Sequence, residues 1–192
     1  MTVADVFRPG ARAAARTYDV GLVVAGSIAV ALSSLVEFHL PGTPVPITMQ
    51  TFTVLLVAAL LGARRGALAL LAYLAQGAVG LPVFSGGVGG LAHLGGPTGG
   101  YLVGFVAAAF LVGWLAERGW DRTPWFTAAA MILGNLVIYL FGVIRLAAFV
   151  GADQAIPLGV LPFIPGDLIK IALASALLPA GWKIIGQRPA GM

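Results

Sequence analysis

The chain has 192 residues, 59% hydrophobic and only 9% charged, with no cysteine and a formal net charge of +4. Soluble domains carry about 25% charged residues, so composition argues against a water-exposed fold and leaves no room for disulfides, thiol chemistry or cysteine metal sites. The positive charge does not point to nucleic acid, because Lys and Arg stand in short groups beside apolar runs and form no phosphate-binding stripe.

In chain order, apolar runs predict six helices, over about 20–36, 47–62, 66–80, 99–115, 125–150 and 163–185. Several are shorter than the ~20 residues of an ideal crossing, which suits tilted, broken or partly buried helices. The first run follows a basic N-terminus in signal-peptide order. With five further runs behind it, it reads as a retained first helix. Nine of the eleven Lys and Arg residues fall in four groups: Arg8, Arg12 and Arg16; Arg64 and Arg65; Arg118 and Arg122; Lys183 and Arg188. Cytoplasmic ends of membrane segments collect Lys and Arg, and only an even helix count puts all four groups on one side. The expected fold is an all-α integral membrane protein, a six-transmembrane-helix bundle with both termini inside. It forms a single membrane domain over 1–192: cytoplasmic segment 1–18, bundle 19–186 and tail 187–192.

The connections on the other side, 37–46, 81–98 and 151–166, contain no Lys or Arg and are rich in Pro and Gly. Loops of this length on a rigid scaffold often carry binding residues, although plain surface linkers have the same composition. No internal repeat is visible, so nothing points to an inverted-repeat transporter.

Two basic residues escape the four groups. Lys170 lies three positions after Asp167, on the same helical face. An ionisable group inside a membrane costs roughly 2.5–3.5 kcal/mol and is tolerated when paired or facing a cavity. The pair fits a ligand site, and it equally fits a helix cap with a neutralising partner. Arg145, deep in the fifth run, suits a carboxylate or a carbonyl cluster, or snorkelling to the surface. Asn135 and Tyr139, four apart on that run, could line a cavity or bond neighbouring helices. Small residues recur every fourth position at Gly21, Ala25, Ala29 and Ser33, and again at Gly96, Gly100, Gly104 and Ala108, as close helix packing requires. His39 and His93 have no partners at metal-ligand spacing, so no metal site is expected. Neither Lys170 nor Lys183 belongs to a phosphate-binding loop, so ATP-driven transport would need an outside motor.

Three segments together carry a resemblance: 45–52 (VPITMQTF), 95–105 (GGPTGGYLVGF) and 162–170 (PFIPGDLIK). In this order and spacing the chain resembles the BioY family, the biotin-specific S components of energy-coupling factor (ECF) transporters, over nearly its whole length after about residue 18. The resemblance implies a non-enzymatic subunit of a prokaryotic cytoplasmic membrane that captures biotin in an extracytoplasmic cavity, capped by the loops between helices 1–2 and 3–4. It implies delivery with a transmembrane coupling protein and ATP-binding subunits, and no cofactor. It assigns Asp167 and Lys170 to biotin, whose ureido ring offers two N–H donors and a carbonyl and whose tail ends in a carboxylate. Gln50 and Tyr101 follow from the other matching segments, Val83 and Phe84 would pack on the apolar part of the ligand, and Gly21, Ala25, Ala29 and Ser33 would face the coupling protein. The family often has an aromatic residue where this chain has Arg145, so Arg145 is either an extra carboxylate partner or lies outside the cavity. The competing readings are a self-sufficient proton-coupled carrier using Asp167, a scaffold without a ligand, and a binder of another vitamin.

Overall fold

The computed structural model describes residues 1–186 and is mostly helical. A short helix α1 (Val3–Val6) precedes α2 (Arg12–Ser34). A two-stranded antiparallel hairpin, β1 (Glu37–Phe38) with β2 (Ile47–Thr48), leads into α3 (Gln50–Leu61) and α4 (Ala63–Ala78). Then come α5 (Leu91–Leu94), α6 (Gly99–Glu117), α7 (Pro124–Val150), α8 (Ala152–Gly159), a 3-10 turn over Leu161–Phe163, and α9 (Ile164–Gly186).

Local chemistry sets several boundaries. Thr123 precedes α7 with extended backbone and Pro124 takes its first position, where the missing N–H costs nothing and the ring's fixed φ suits a helix. Gly151 ends α7 with φ 88°, and Gly62, also at φ 88°, separates α3 from α4 with a single residue. A side chain in that left-handed region would be strained.

Four stretches are long and apolar enough to cross a membrane: Arg12–Ser34, Gly99–Glu117, Pro124–Val150 and Ala152–Gly186. With 12 residues, α3 is only about 18 Å long, short of the ~30 Å hydrocarbon core. Each of the six predicted runs overlaps a helix, with four differences, one of them the short helix α5 inside the 81–98 connection. The first helix starts at Arg12, through the basic N-terminal group. The 37–46 connection is flanked by paired strands. The 151–166 connection holds α8 and the 3-10 turn where a loop is expected. The tail expected over 187–192, with Arg188, lies outside the described residues.

The core surrounds α6, which packs on α3, α4 and α7. Glycine makes this approach possible. A Cβ on Gly100 would lie 2.3 Å from the Phe141 carbonyl oxygen, on Gly104 3.1 Å from Ile138 Cα, and on Gly113 2.4 Å from Ala63 N. The second small-residue series is therefore used inside the bundle. Around it, Val54, Leu70, Tyr73, Val112, Ile138 and Leu146 are fully enclosed. At the end carrying Arg64 and Arg65, Arg65 bridges Asp5 at 2.7 Å and Asp19 at 2.9 Å, and Arg8 meets Asp19 at 2.7 Å. Burial works against the charge on Asp5, but the Thr2 backbone N–H and Arg65 outweigh it and hold its carboxyl below the usual range.

Candidate ligand-binding site

The hairpin delivers Thr48 to the start of α3, where Gln50 and Thr51 occupy the first turn. The 3-10 turn delivers Phe163 to α9, whose first turn carries Asp167. The 81–98 connection runs over α4 and enters α6 at Gly99. These parts, with Ile138 and Tyr139 of α7, enclose a cavity of about 380 Å³, within the size range of small-molecule sites.

Asp167 lines it, 4% exposed. Its Oδ1 accepts from Lys170 Nζ at 3.1 Å and Thr51 Oγ1 at 3.2 Å, and its Oδ2 accepts from the Tyr139 hydroxyl. Lys170 Nζ also donates to the Thr48 carbonyl and to Thr51 Oγ1, both at 2.8 Å. The carboxylate thus ties α3, α7 and α9 together through side chains. Removing one partner of such a buried pair costs about 3–5 kcal/mol, because the other charge is stranded.

Gln50, Tyr101 and Tyr139 join Asp167 and Lys170 in the lining, as expected from the sequence. Their polar atoms are largely committed to protein. Gln50 Nε2 donates to the Tyr73 hydroxyl at 2.6 Å, and the Tyr101 hydroxyl donates to the Gly159 carbonyl at 2.8 Å. The Tyr101 ring is wedged against α7 at Gly142, where a Cβ would lie 2.3 Å from it.

Four residues expected at the ligand, Val83, Phe84, Asn135 and Arg145, lie outside the cavity lining. Phe84 is 0% exposed and lies across α4, so close to Gly77 that a Cβ there would sit 1.9 Å from the ring. It anchors the loop, and Val83 beside it is held by Ser34 Oγ donating to the Val83 carbonyl at 2.8 Å. Arg145 turns to the same loop, donating to the Gly95 and Gly96 carbonyls, with its guanidinium 5.1 Å from the Phe149 ring centroid. The Arg145 side chain thus donates to the loop backbone and is not part of the cavity lining. Asn135, one turn from Tyr139, opens on a separate crevice of about 10 Å³ lined also by Thr51 and Lys170, and its Oδ1 has no hydrogen-bond partner among the described residues. On α2, Gly26, Ser27, Val30 and Ser34 face inward, while Gly21 and Ala25 are exposed and Ala29 and Ser33 partly so.

Sequence reasoning missed Thr48, Thr51, His39, Ser85, His93 and Thr98, all in the lining. Thr48 and Thr51 flank Gln50 in the matched segment, three residues apart, and that spacing was the available signal. His93 is stacked on Phe84 at 5.2 Å with 19° between planes, Phe84 meets Tyr73 edge-on at 5.5 Å, and Tyr73 bonds Gln50. Burial pushes the His93 ring's pKa down. Among the described residues, no cluster of His and acidic side chains is placed to hold a metal ion. The arrangement offers an apolar space with an oriented acceptor on one wall and ring and hydroxyl donors on another, suited to holding a small amphipathic molecule.

The sequence pattern of the BioY family matches residues 8–187. A biotin transporter BioY of Rhizobium etli is 46% identical over 160 residues, covering 79% of this chain and 85% of that protein. A probable biotin transporter BioY of Pyrococcus horikoshii is 47% identical over 131 residues, covering 68% and 76%, and one from Thermotoga maritima is 43% identical over 139 residues, covering 72% and 81%. Among solved structures, the crystal structure of the S-component for biotin from an ECF-type ABC transporter superposes with a TM-score of 0.77 at 27% identity, covering 88% of this chain and 92% of that one. With one family pattern running through nearly all of its described helices, and with transporters as its relatives, this chain belongs to the BioY family.

Proposed function

We propose that the protein is the substrate-binding membrane subunit for biotin uptake, and that Asp167, Lys170, Gln50, Tyr101 and Tyr139 hold biotin in the 380 Å³ cavity. The observation that carries this reading is convergence. The three segments that resemble the family, far apart in sequence, meet around the Asp167–Lys170 pair. The cavity's apolar surfaces at Val45, Leu102, Phe105 and Phe163 suit the thioether ring and valeryl chain, and the acceptor at Asp167 suits the ureido N–H groups.

In this reading the chain forms one membrane domain of six transmembrane helices in the cytoplasmic membrane of a prokaryote, with both termini inside and the cavity opening to the extracytoplasmic face. The sidedness rests on the Lys and Arg groups. An ECF coupling protein and ATP-binding subunits supply energy, and the exposed Gly21–Ala25 side of α2 is the surface that would meet the coupling protein. The proton-coupled alternative is disfavoured by Asp167 itself, whose oxygens are engaged by Lys170, Thr51 and Tyr139.

Equilibrium binding of labelled biotin to the purified protein in detergent tests the reading, with Asp167→Asn and Lys170→Met alongside. Saturable binding that each substitution weakens more than tenfold, about 1.4 kcal/mol, is the expected result. Absence of binding by folded wild-type protein would overturn it. Uptake that stops when the partner ATPase is disabled, and survives a protonophore while ATP is maintained, separates the ECF route from the proton-coupled one.

A further inference from the structure

Five arginines stand where α2 and α4 begin: Arg8, Arg12, Arg16, Arg64 and Arg65. Two of them are spent within the protein. Arg65 bridges Asp5 and Asp19, and Arg8 bridges Asp19. Glu117, beside them, accepts from the Ala63 backbone N–H at 2.9 Å. Arg12, Arg16 and Arg64 are exposed and make no ion pair or hydrogen bond with any described residue. Each of these guanidiniums keeps its N–H donors for an acceptor outside the chain.

Beneath them a groove of about 770 Å³ runs between α2 and α4. Its apolar walls are Val20 and Val23 from α2 and Leu68, Leu71, Ala72 and Ala75 from α4. Arg64 heads the α4 wall on one helical face with Leu68, Leu71 and Ala75, and Arg12 and Arg16 head the α2 wall above Val20 and Val23. Because Arg65 meets Asp19, Arg64 lies level with that turn of α2, and Arg16 stands about one turn beyond it. The charges lining the groove, Arg8, Arg64 and Arg65 against Asp5, Asp19 and Glu117, balance. Arg12 and Arg16 then leave its head positive.

Length points to the occupant. From Arg64 to Ala75, α4 rises about 16 Å, half of the ~30 Å hydrocarbon core. The groove is thus as long as one leaflet is deep, with free cations at the level of that leaflet's headgroups. Basic pockets between membrane helices bind anionic headgroups, and a guanidinium can hold a phosphate through two parallel hydrogen bonds. At about 100° per residue, the Gly21, Ala25 and Ala29 stripe lies on the far side of α2 from Arg16, Val20 and Val23.

We infer that the α2–α4 groove seats one anionic phospholipid of the leaflet at the arginine-rich end. Arg64 and Arg16 receive its headgroup, Arg12 adds positive charge behind them, and one acyl chain lies along the groove. A zwitterionic lipid fits the same walls but brings its own ammonium, so the arginines favour the anionic one.

Lipid retention tests this. The protein is assembled into nanodiscs of equimolar phosphatidylglycerol and phosphatidylcholine, released into mild detergent, and weighed with its bound lipid by native mass spectrometry. Wild type is expected to keep one phosphatidylglycerol in about fivefold or greater preference. Arg16→Gln with Arg64→Gln removes the preference, whereas Arg16→Lys with Arg64→Lys keeps part of it. Leu71→Trp fills the groove with the charges intact and lowers retention of both lipids. Arg118→Gln with Arg122→Gln, which removes two arginines that do not line the groove, leaves the preference at its wild-type value. A cooperative thermal melt in detergent confirms that each variant is folded.

Equal retention of the two lipids by wild type overturns the inference. So does an equal loss in the Arg118 and Arg122 variant, which would mark general surface charge. If Leu71→Trp keeps its lipid but no longer co-purifies with a coupling protein and ATP-binding subunits, the groove belongs to a protein partner and the inference falls. The biotin reading stands or falls separately, by the binding experiment above.

Discussion

Among the described residues two side-chain carboxylates are buried, one in the first turn of α9 and one against Trp182, about 22 Å further along that helix, and they are treated in opposite ways. Asp167, 4% exposed, has hydrogen bonds to both oxygens from Lys170, Thr51 and Tyr139. Asp121, 2% exposed in the turn after α6, accepts from Trp182 Nε1, at 2.5 Å near the far end of α9, and among the described residues no other residue sends a donor to its Oδ1. Burial accordingly pushes the Asp121 carboxyl up, against the Trp182 hydrogen bond and the nearby Arg122 charge. A buried carboxylate alone thus says little about function. The informative difference is the number of elements that send it donors, which at Asp167 includes α3, α7 and α9 itself, beside a cavity.

The sharpest way to break this contrast is to strand Asp167. Lys170→Met should destabilise the protein by about 3–5 kcal/mol, read as a large fall in thermal midpoint in detergent. Removing both charges with Asp167→Leu and Lys170→Met should cost less than the single change. Additive effects of the two substitutions would show that the pair is not coupled.

Gly77→Ala attacks the same end through the loop. Its Cβ would fall 1.9 Å from Phe84 Cζ, and overpacking of this kind costs about 1–3 kcal/mol. Because Phe84 also supports His93, biotin affinity should fall with stability, whereas an unchanged dissociation constant would show that the loop wall does not depend on this contact.

At the other end, Trp182→Phe removes the indole donor to Asp121 and should cost about 1–3 kcal/mol with biotin affinity unchanged in an equilibrium titration. The smallest effect belongs to Asp121→Asn. The folded state raises this carboxyl above its ordinary 3.8, so ionisation costs stability at neutral pH, and that cost fades as pH falls through the raised value toward 3.8. The Asn variant should therefore melt higher than wild type near pH 7, with the advantage vanishing at acid pH. An advantage that grows on acidification would reverse the sign of the assignment.

Particular residues show what was legible in the sequence. Asp167 and Lys170 stood out because ionisable groups are rare in apolar runs, and Gln50, Tyr101 and Tyr139 followed from motif or helical spacing. Phe84 and Arg145 were less legible for one physical reason: an aromatic or a guanidinium near a site serves equally well as a ligand contact or as an anchor. Only the position of Gly77 beneath Phe84, and of the Gly95 and Gly96 carbonyls before Arg145, makes them anchors. His39 and His93 were read only for metal spacing, which says nothing about side chains that line a cavity.

The sequence by itself determined the membrane class and the family, since hydropathy and contiguous motifs are properties of the chain read in order. Tertiary structure alone decided which polar groups face the cavity and which retain unused donors or acceptors. That depends on partners arriving from elements as distant as Thr51 and Asp167, where each hydrogen bond made to the protein is one fewer available to a ligand.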